Sequence, residues 1–270
     1  MNTLKPYVAD EWSPLKAAAV YPRAGVELYC RRGDLSVPLA ELLKGEGVEL
    51  VQPGSTEKGQ PLYARDPLVV IDDAVFVSPI HSPGRRGEDA VMCAALQERN
   101  IAHAASRVHG GNVLLFPDGG AIVGYDAWKE DPSETSYCEE PHESDLEILA
   151  QVRTLRQRAL HVCHYEVHID CAVAPLPDGN ILYHRQRLAD AGVHALKTIF
   201  GTDMLTDIEK GHHHRPILNL FWVNPGLVLT PDSDVCRLLE DRRYEVWKIW
   251  GDWKMQGSVR CCIAPLLRKS

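Results

Sequence analysis

No run in this 270-residue chain approaches the ~18 consecutive apolar residues needed to span a bilayer as a helix, so no membrane partner is expected. The opening MNTLKPYVADEWSPLK lacks a basic flank followed by a sustained apolar stretch. A secretory signal is therefore not expected, and a cytoplasmic location follows by default. There is no low-complexity tract and no collagen-like period, although 18 prolines and 20 glycines punctuate the chain. Positive charge is not in excess: 29 Lys and Arg face 37 Asp and Glu, a formal net charge of −8. That balance disfavours nucleic acid as a partner, because binding to phosphate backbones rests on Lys and Arg fields. No CxxC motif is present, and the 8 cysteines are spread widely, which suits reduced thiols better than a disulfide framework.

What is present is the composition of an ordinary folded protein, 45% hydrophobic and 24% charged, with core enough for one or two domains. Four segments share a plan of apolar run, turn and second run: Leu68 to Pro79, Asn112 to Tyr125, Cys171 to His184 and Ile217 to Thr230. Their turns fall at Asp72 and Asp73, Asp118 and Gly119, Asp178 and Gly179, and Asn224 to Gly226. Such turns between apolar runs are strong hairpin signals. Helix-like stretches follow at Glu88 to Arg99, Ser144 to Arg158, Arg187 to Phe200 and Ser233 to Arg242. Most of these lead into another short β-prone run, at Ile101 to Ala105, Leu160 to His168 or Tyr244 to Trp250. An earlier unit reads as Ala17 to Tyr21, a helix near Val37 to Leu43, and Val48 to Val51, with Val259 to Pro265 completing its hairpin. The spacing of about 45 to 60 residues marks a repeated α/β supersecondary unit. With no linker-like segment, residues 1–270 read as a single domain.

Four short motifs can carry chemistry. His168 and Asp170 stand two apart in the β-prone run Tyr165 to Cys171, so both should project from one side of a strand and set an acid/base group beside a carboxylate. Arg65 and Asp66 precede Pro67 where the chain enters an apolar strand. His109, Gly110, Gly111 and Asn112 lead into the next hairpin, with glycines that allow close backbone approach. Gln256, Gly257, Ser258, Val259 and Arg260 deliver Cys261 and Cys262 to the start of the last strand. Arg260 or a protonated His168 could lower a thiol's pKa and make it a nucleophile. Taken singly, each motif is equally compatible with a solvated loop, a structural ion pair or a packed cysteine.

In this order and together, ARDP (Ala64 to Pro67), HGGN (His109 to Asn112), HID (His168 to Asp170) and QGSVRC (Gln256 to Cys261) resemble the guanidino-group-modifying, or pentein, superfamily. That superfamily includes arginine and agmatine deiminases, dimethylarginine dimethylaminohydrolases and amidinotransferases. EWSPLKAAAVYP, Glu11 to Pro22, looks like its first strand. The resemblance implies a five-bladed α/β propeller of ββαβ units with pseudo-five-fold symmetry around a polar site. It further implies Cys261 as nucleophile, His168 as general acid/base, and Asp66 and Asp170 as carboxylates gripping guanidinium N–H groups, with Arg65, His109 and Asn112 in the same substrate-binding motifs. Cys262, next along an extended strand, would point to the other side and pack.

The implied chemistry is attack of a thiolate on the guanidinium carbon, giving a covalent thiouronium that water or an acceptor amine then releases. EWSPLK, RDPLVVI and HID followed by Cys171 look more like amidinotransferases; the short chain is closer to the hydrolases. The expected reading is therefore amidinotransferase-like, with an amidinohydrolase and a non-catalytic guanidino-metabolite binding protein as alternatives. The expected ligands are a small guanidino compound and, for a transferase, an amine acceptor. A homo-oligomer is admissible, and no cofactor is implied. One departure matters: the superfamily generally carries Glu or Asp where His109 stands, so the substrate here could be less basic or substituted, or activity could be lost. Arg85, Arg86, Arg185, Arg187 and Arg215 are unranked candidates for a substrate carboxylate. His212, His213 and His214, with His194 and Cys236, do not form a zinc-like ligand set, and a loop or lid is expected instead.

Overall fold

The structure is a computed structural model that describes residues 4–21, 29–56, 63–80, 85–126, 143–166, 168–208, 217–250 and 259–269. Its first strands are β1 (Leu15–Val20), β2 (Tyr29–Arg32) and β3 (Leu35–Pro38), followed by α1 (Leu39–Gly45) and β4 (Glu49–Val51). A hairpin β5 (Leu68–Ile71) and β6 (Ala74–Val77) leads through α2 (Glu88–Glu98) to β7 (Ala104–Ala105). The pattern repeats as β8 (Val113–Leu115), β9 (Gly120–Asp126), α3 (Glu143–Leu155) and β10 (Arg158–His164). It repeats again as β11 (Val173–Pro175), β12 (Ile181–Tyr183), α4 (Asp190–Phe200) and β13 (Leu205–Asp207). Then come β14 (Phe221–Asn224), β15 (Leu227–Thr230), α5 (Ser233–Asp241) and β16 (Glu245–Trp250), and last the short α6 (Val259–Cys262) and β17 (Ile263–Arg268).

The described strands form five small sheets in a mixed α/β fold without a closed barrel. Each pairs an antiparallel hairpin with a third, parallel strand reached through a helix: β5-β6-β7, β8-β9-β10, β11-β12-β13 and β14-β15-β16. In the remaining sheet β1 supplies the middle strand, parallel to β4 and antiparallel to β17, so that Val20 faces Ile263 and Ala18 faces Pro265. The end of the chain thereby completes the unit that its beginning opens.

Turn chemistry explains why the hairpins recur. Asp118 Oδ1 accepts from Gly120 N at 2.9 Å, Asp178 Oδ1 from Asn180 N at 2.9 Å, and Asn224 Oδ1 from Gly226 N at 2.9 Å. One Asx turn thus serves three hairpins, and left-handed Gly119 (φ 79°) and Gly179 (φ 85°) follow two of the aspartates. Asp232 starts α5 by accepting from Asp234 N and Val235 N. Helices pack on sheets through buried faces such as Val193 and Leu196 of α4 against Val162 and Ile181, where each aliphatic side chain contributes roughly 1.5–3 kcal/mol on burial.

The structure departs from the sequence reading in several places. β2 and β3 extend the β14-β15-β16 sheet to five strands through antiparallel β16-β2 pairing, an addition that the sequence reading lacked. Residues 259–262 are a helical turn rather than strand, and the final strand begins at Ile263. His168 is extended, but Ile169–Cys171 coils into a 3-10 turn, so His168 and Asp170 do not share one side of a strand. No disulfide joins the seven described cysteines to one another. Among the described residues no helix is long and apolar enough to cross a membrane. His212, His213, His214, Arg215, Gln256, Gly257 and Ser258 lie outside the described residues.

Candidate active site

Four loops that precede or follow sheet strands meet at one buried polar cluster. The turn Ala64–Pro67 brings Arg65 and Asp66 ahead of β5. The HGGN segment forms a short 3-10 turn before β8, and HIDC forms another before β11. α6 presents Cys261 ahead of β17. Arg65 N donates to the Cys261 carbonyl at 2.9 Å, tying the first loop to the last. Asn112 Oδ1 accepts from Ile169 N at 2.9 Å, tying the second to the third.

Glu11 lies at the centre of the cluster and is 1% exposed. Its Oε2 accepts from Arg260 Nη1 at 2.6 Å, and its Oε1 accepts from Leu115 N at 3.0 Å and Arg65 Nη2 at 3.4 Å. Arg260 Nε donates to Asp170 Oδ2 at 3.0 Å. Two acids and two guanidinium groups thus balance in charge where solvent cannot reach. Burial pushes the Glu11 carboxyl up, but Arg260 and Arg65 overcome it and hold the group down at about 2. Asp170 is fully buried, and burial raises its pKa against the pull of Arg260. Burial also lowers Arg65, to about 10, which leaves it a cation at neutral pH.

His168 is 5% exposed, with Nδ1 3.6 Å from Asp66 Oδ1 and Nε2 3.4 Å from His109 Nδ1. Its carboxylate neighbour in geometry is therefore Asp66, rather than the Asp170 suggested by sequence spacing. Gly111 makes the close approach possible: a Cβ there would lie 2.6 Å from His168 Cγ and Nδ1. His109 is half-buried, and burial together with His168 pushes its pKa down to about 4, so it is a neutral ring at pH 7. Asp66 Oδ2 takes Arg85, which also binds Glu88 Oε2 at 2.6 Å. Asp66 Oδ1 is buried without a hydrogen-bond partner among the described residues.

Cys261 is 4% exposed. Asn219 Oδ1 accepts from Arg260 N at 2.8 Å and Cys261 N at 3.3 Å, and lies 3.7 Å from Cys261 Sγ. Cys261 and Cys262 both belong to the apolar cluster with Leu43, Phe221 and Ile263, so packing does not distinguish them. The structure therefore brings Cys261, His168, Asp66, Asp170, His109, Arg65 and Asn112 into one connected neighbourhood. Arg65 spends its guanidinium on Glu11 and the Gly110 and Val113 carbonyls, and the Asn112 oxygen on backbone, so both hold loops together. Of the other arginines considered, Arg185 pairs with Asp190, Arg187 with Glu166 at 2.8 Å, and Arg86 is exposed.

Glu11 and Asn219 were not assigned to the site from sequence, and Arg260 and Arg85, considered there for a thiol and for a substrate carboxylate, instead pair with Glu11 and Asp170 and with Asp66 and Glu88. Asn219 had a visible signal: a lone amide inside the apolar run Ile217 to Val223. Chemically, the cluster joins a free thiol, an imidazole facing a carboxylate, and a buried acceptor oxygen available to an N–H donor. No group of three or more His, Cys, Asp or Glu that could hold a metal ion occurs among the described residues.

No protein-family model matches the chain, and no curated protein matches it in sequence. Solved structures do. The inosamine-phosphate amidinotransferase of Streptomyces griseus superposes with a TM-score of 0.72 at 15% identity, over 98% of this chain and 97% of the other. An amidinotransferase of saxitoxin biosynthesis from Microseira wollei gives 0.70 at 13% identity, over 98% of both. The N-terminal domain of a cyanobacterial arginine dihydrolase gives 0.69 at 13% identity, over 93% and 97%. The chain shares the fold of amidinotransferases and arginine dihydrolases.

Proposed function

We propose that this chain is a cysteine-dependent enzyme of the guanidino-group-modifying superfamily, acting on an arginine-like small molecule and closest in kind to the amidinotransferases. Its five ββαβ units form the five-bladed propeller of that superfamily, and residues 1–270 are one domain. The observation that carries the reading is the Asp66 Oδ1 atom: a buried acceptor without a hydrogen-bond partner among the described residues, beside His168, in the cluster that holds the free thiol of Cys261. A guanidinium N–H is a donor of matching charge and geometry.

Substrate guanidinium donates to Asp66 Oδ1, and the nearby negative charge keeps it cationic and electrophilic. The Cys261 thiolate attacks its central carbon. His168 gives a proton to the leaving amine as the carbon–nitrogen bond breaks, and a thiouronium remains on sulfur. His168, now neutral, takes a proton from an incoming amine or water, and the carbon–sulfur bond breaks. Asp170 acts on the reacting groups through Arg260 and Cys171, which already occupy its oxygens.

The transferase reading draws support from the EWSPLK and RDPLVVI segments and from two amidinotransferases of the same fold. A hydrolase is the second reading, favoured by the dihydrolase domain, which has been solved covalently bound to a reaction intermediate. Mass spectrometry of the products from arginine, with and without added glycine, separates them. Ornithine formed only with glycine marks a transferase; citrulline or ornithine without an acceptor marks a hydrolase. Cys261→Ala abolishes turnover in either case, and appreciable residual activity removes the proposed chemistry. Haloacetamidine labelling of Cys261 no faster than that of a model thiol peptide marks a non-catalytic binding protein.

A further inference from the structure

We infer that Arg85 is an internal occupant of the guanidinium subsite at Asp66: in the free protein its own guanidinium holds one carboxylate oxygen, and a guanidino ligand gains both oxygens only by displacing it. This rests on the reading of Asp66 as the carboxylate that grips a substrate guanidinium. Arg85 Nη1 is paired with Asp66 Oδ2, while Asp66 Oδ1, beside His168, has no hydrogen-bond partner among the described residues. One planar cation with fixed N–H donors thus already sits where another is expected. The Arg85 side chain is 17% exposed, against 6% for Asp66 and 5% for Glu88, so it covers the two acids from the solvent side.

The arginine is anchored elsewhere, which lets it release Asp66 without leaving its place. Nε donates to Glu88 Oε1 at 3.0 Å and Nη2 to Glu88 Oε2 at 2.6 Å, a two-point grip from the first turn of α2. Nη2 also lies 3.5 Å from the Tyr63 carbonyl, and the guanidinium carbon stands 5.1 Å from the Tyr63 ring centroid. Of these bonds only the one from Nη1 goes to Asp66. A hinge of the guanidinium about Glu88 gives up that bond and keeps the other two. While Arg85 rests on Asp66, a second guanidinium has one oxygen to bind and a like charge beside it. Displacement removes both obstacles, and the ligand then takes Oδ1 and Oδ2 in parallel. Affinity falls by the fraction of sites that stand open, so occupation of about nine sites in ten weakens binding roughly tenfold.

The test is a nuclear magnetic resonance titration of the full chain with methylguanidinium, which carries no carboxylate and so reports on the guanidinium subsite alone. Arg85→Gln binds it about tenfold more tightly than wild type. Arg86→Gln removes the same charge from the exposed neighbouring residue and keeps Kd within about twofold of wild type. Adding Asp66→Asn to Arg85→Gln abolishes the gain. Should Arg85→Gln fail to fold, Arg85→Met keeps a stem of similar reach beside Tyr63 and is read in the same way. An equal gain in Arg86→Gln overturns the inference, because it marks a long-range effect of charge, and so does a gain that survives Asp66→Asn. Binding by wild type that is equal or weaker in the Arg85 variants refutes only the role of Arg85. Binding by none of the proteins refutes the reading of Asp66, and the inference with it.

Discussion

Arg260 Nη1 lies 2.6 Å from Glu11 Oε2, joining residues 249 apart in sequence at the centre of the fold. The same guanidinium reaches Asp170 and the Val113 carbonyl, so this ion pair fixes the loop carrying Cys261 against the loops carrying Arg65 and Asp170. Breaking one side of such a pair leaves a buried charge without compensation. Glu11→Gln and Arg260→Gln are each expected to cost about 3–5 kcal/mol in urea unfolding. The double variant should cost clearly less than the sum of the two, and strict additivity would show that the pair is not coupled.

The same carboxylate sets a pH dependence. Glu11 is held at about 2 in the fold against an ordinary value of 4.5. Its depressed pKa contributes stability that is complete above 4.5 and is lost as pH falls from 4.5 through 2. Wild-type protein should lose stability steeply over that window. Glu11→Gln should show a shallower slope there, and parallel slopes would deny Glu11 the role.

Asn219 reaches the turn that carries Cys261 from the residues just before β14, with one oxygen serving the backbone N–H groups of Arg260 and Cys261. Asn219→Leu keeps similar volume and orphans both donors, at roughly 1–3 kcal/mol each. The expected result is a lower thermal midpoint together with a kcat loss of about tenfold or more. A protein that is destabilised but keeps its kcat would limit Asn219 to a structural role.

The repeat was legible because its punctuation is local. Asp-Gly turns, apolar hairpin strands and the Ser233 to Arg242 helix behind its Asp232 cap each declare themselves within a dozen residues. The β2-β3 hairpin was not, since its strands are only four residues long and largely exposed. Its partner β16 lies so far along the chain that the cross-strand ion pair Arg32 to Glu245 spans 213 residues. For the site, motif residues were legible and their partners were not. His168 and Asp170 read as neighbours under a strand period, but a 3-10 turn sends Asp170 to Arg260 and leaves His168 facing Asp66. No spacing rule could bring together Glu11 and Arg260.

Gly111 is the place where backbone gives way to the His168 ring. Any Cβ there would meet ring atoms at 2.6 Å, too close for contact without displacing the imidazole. Gly111→Ala should therefore lower kcat/KM by about a hundredfold, the scale on which a displacement of one ångström acts in a positioned site. A variant with wild-type kcat/KM would show that His168 is free to move or is not the acid/base group.

If the proposed function holds, His109 sets the charge that the cluster presents to a guanidinium beside Asp66 and His168. With its pKa held near 4 by burial and by His168, the ring gives the site an uncharged face where a carboxylate would add a negative charge. Nuclear magnetic resonance titration should find the His109 ring neutral at pH 7, protonating only near pH 4. Because this folded value lies below the ordinary 6.5, the group favours the native state above pH 6.5 and loses that contribution as pH falls through 4. His109→Glu restores an anionic acceptor beside Asp66 and His168. It should raise kcat/KM for arginine roughly tenfold, an amount ordinary for one charge-assisted hydrogen bond. The gain should shrink for substrates whose amidine carries no positive charge. An equal or lower kcat/KM for arginine in His109→Glu would mean that the neutral ring is not what limits a cationic substrate here.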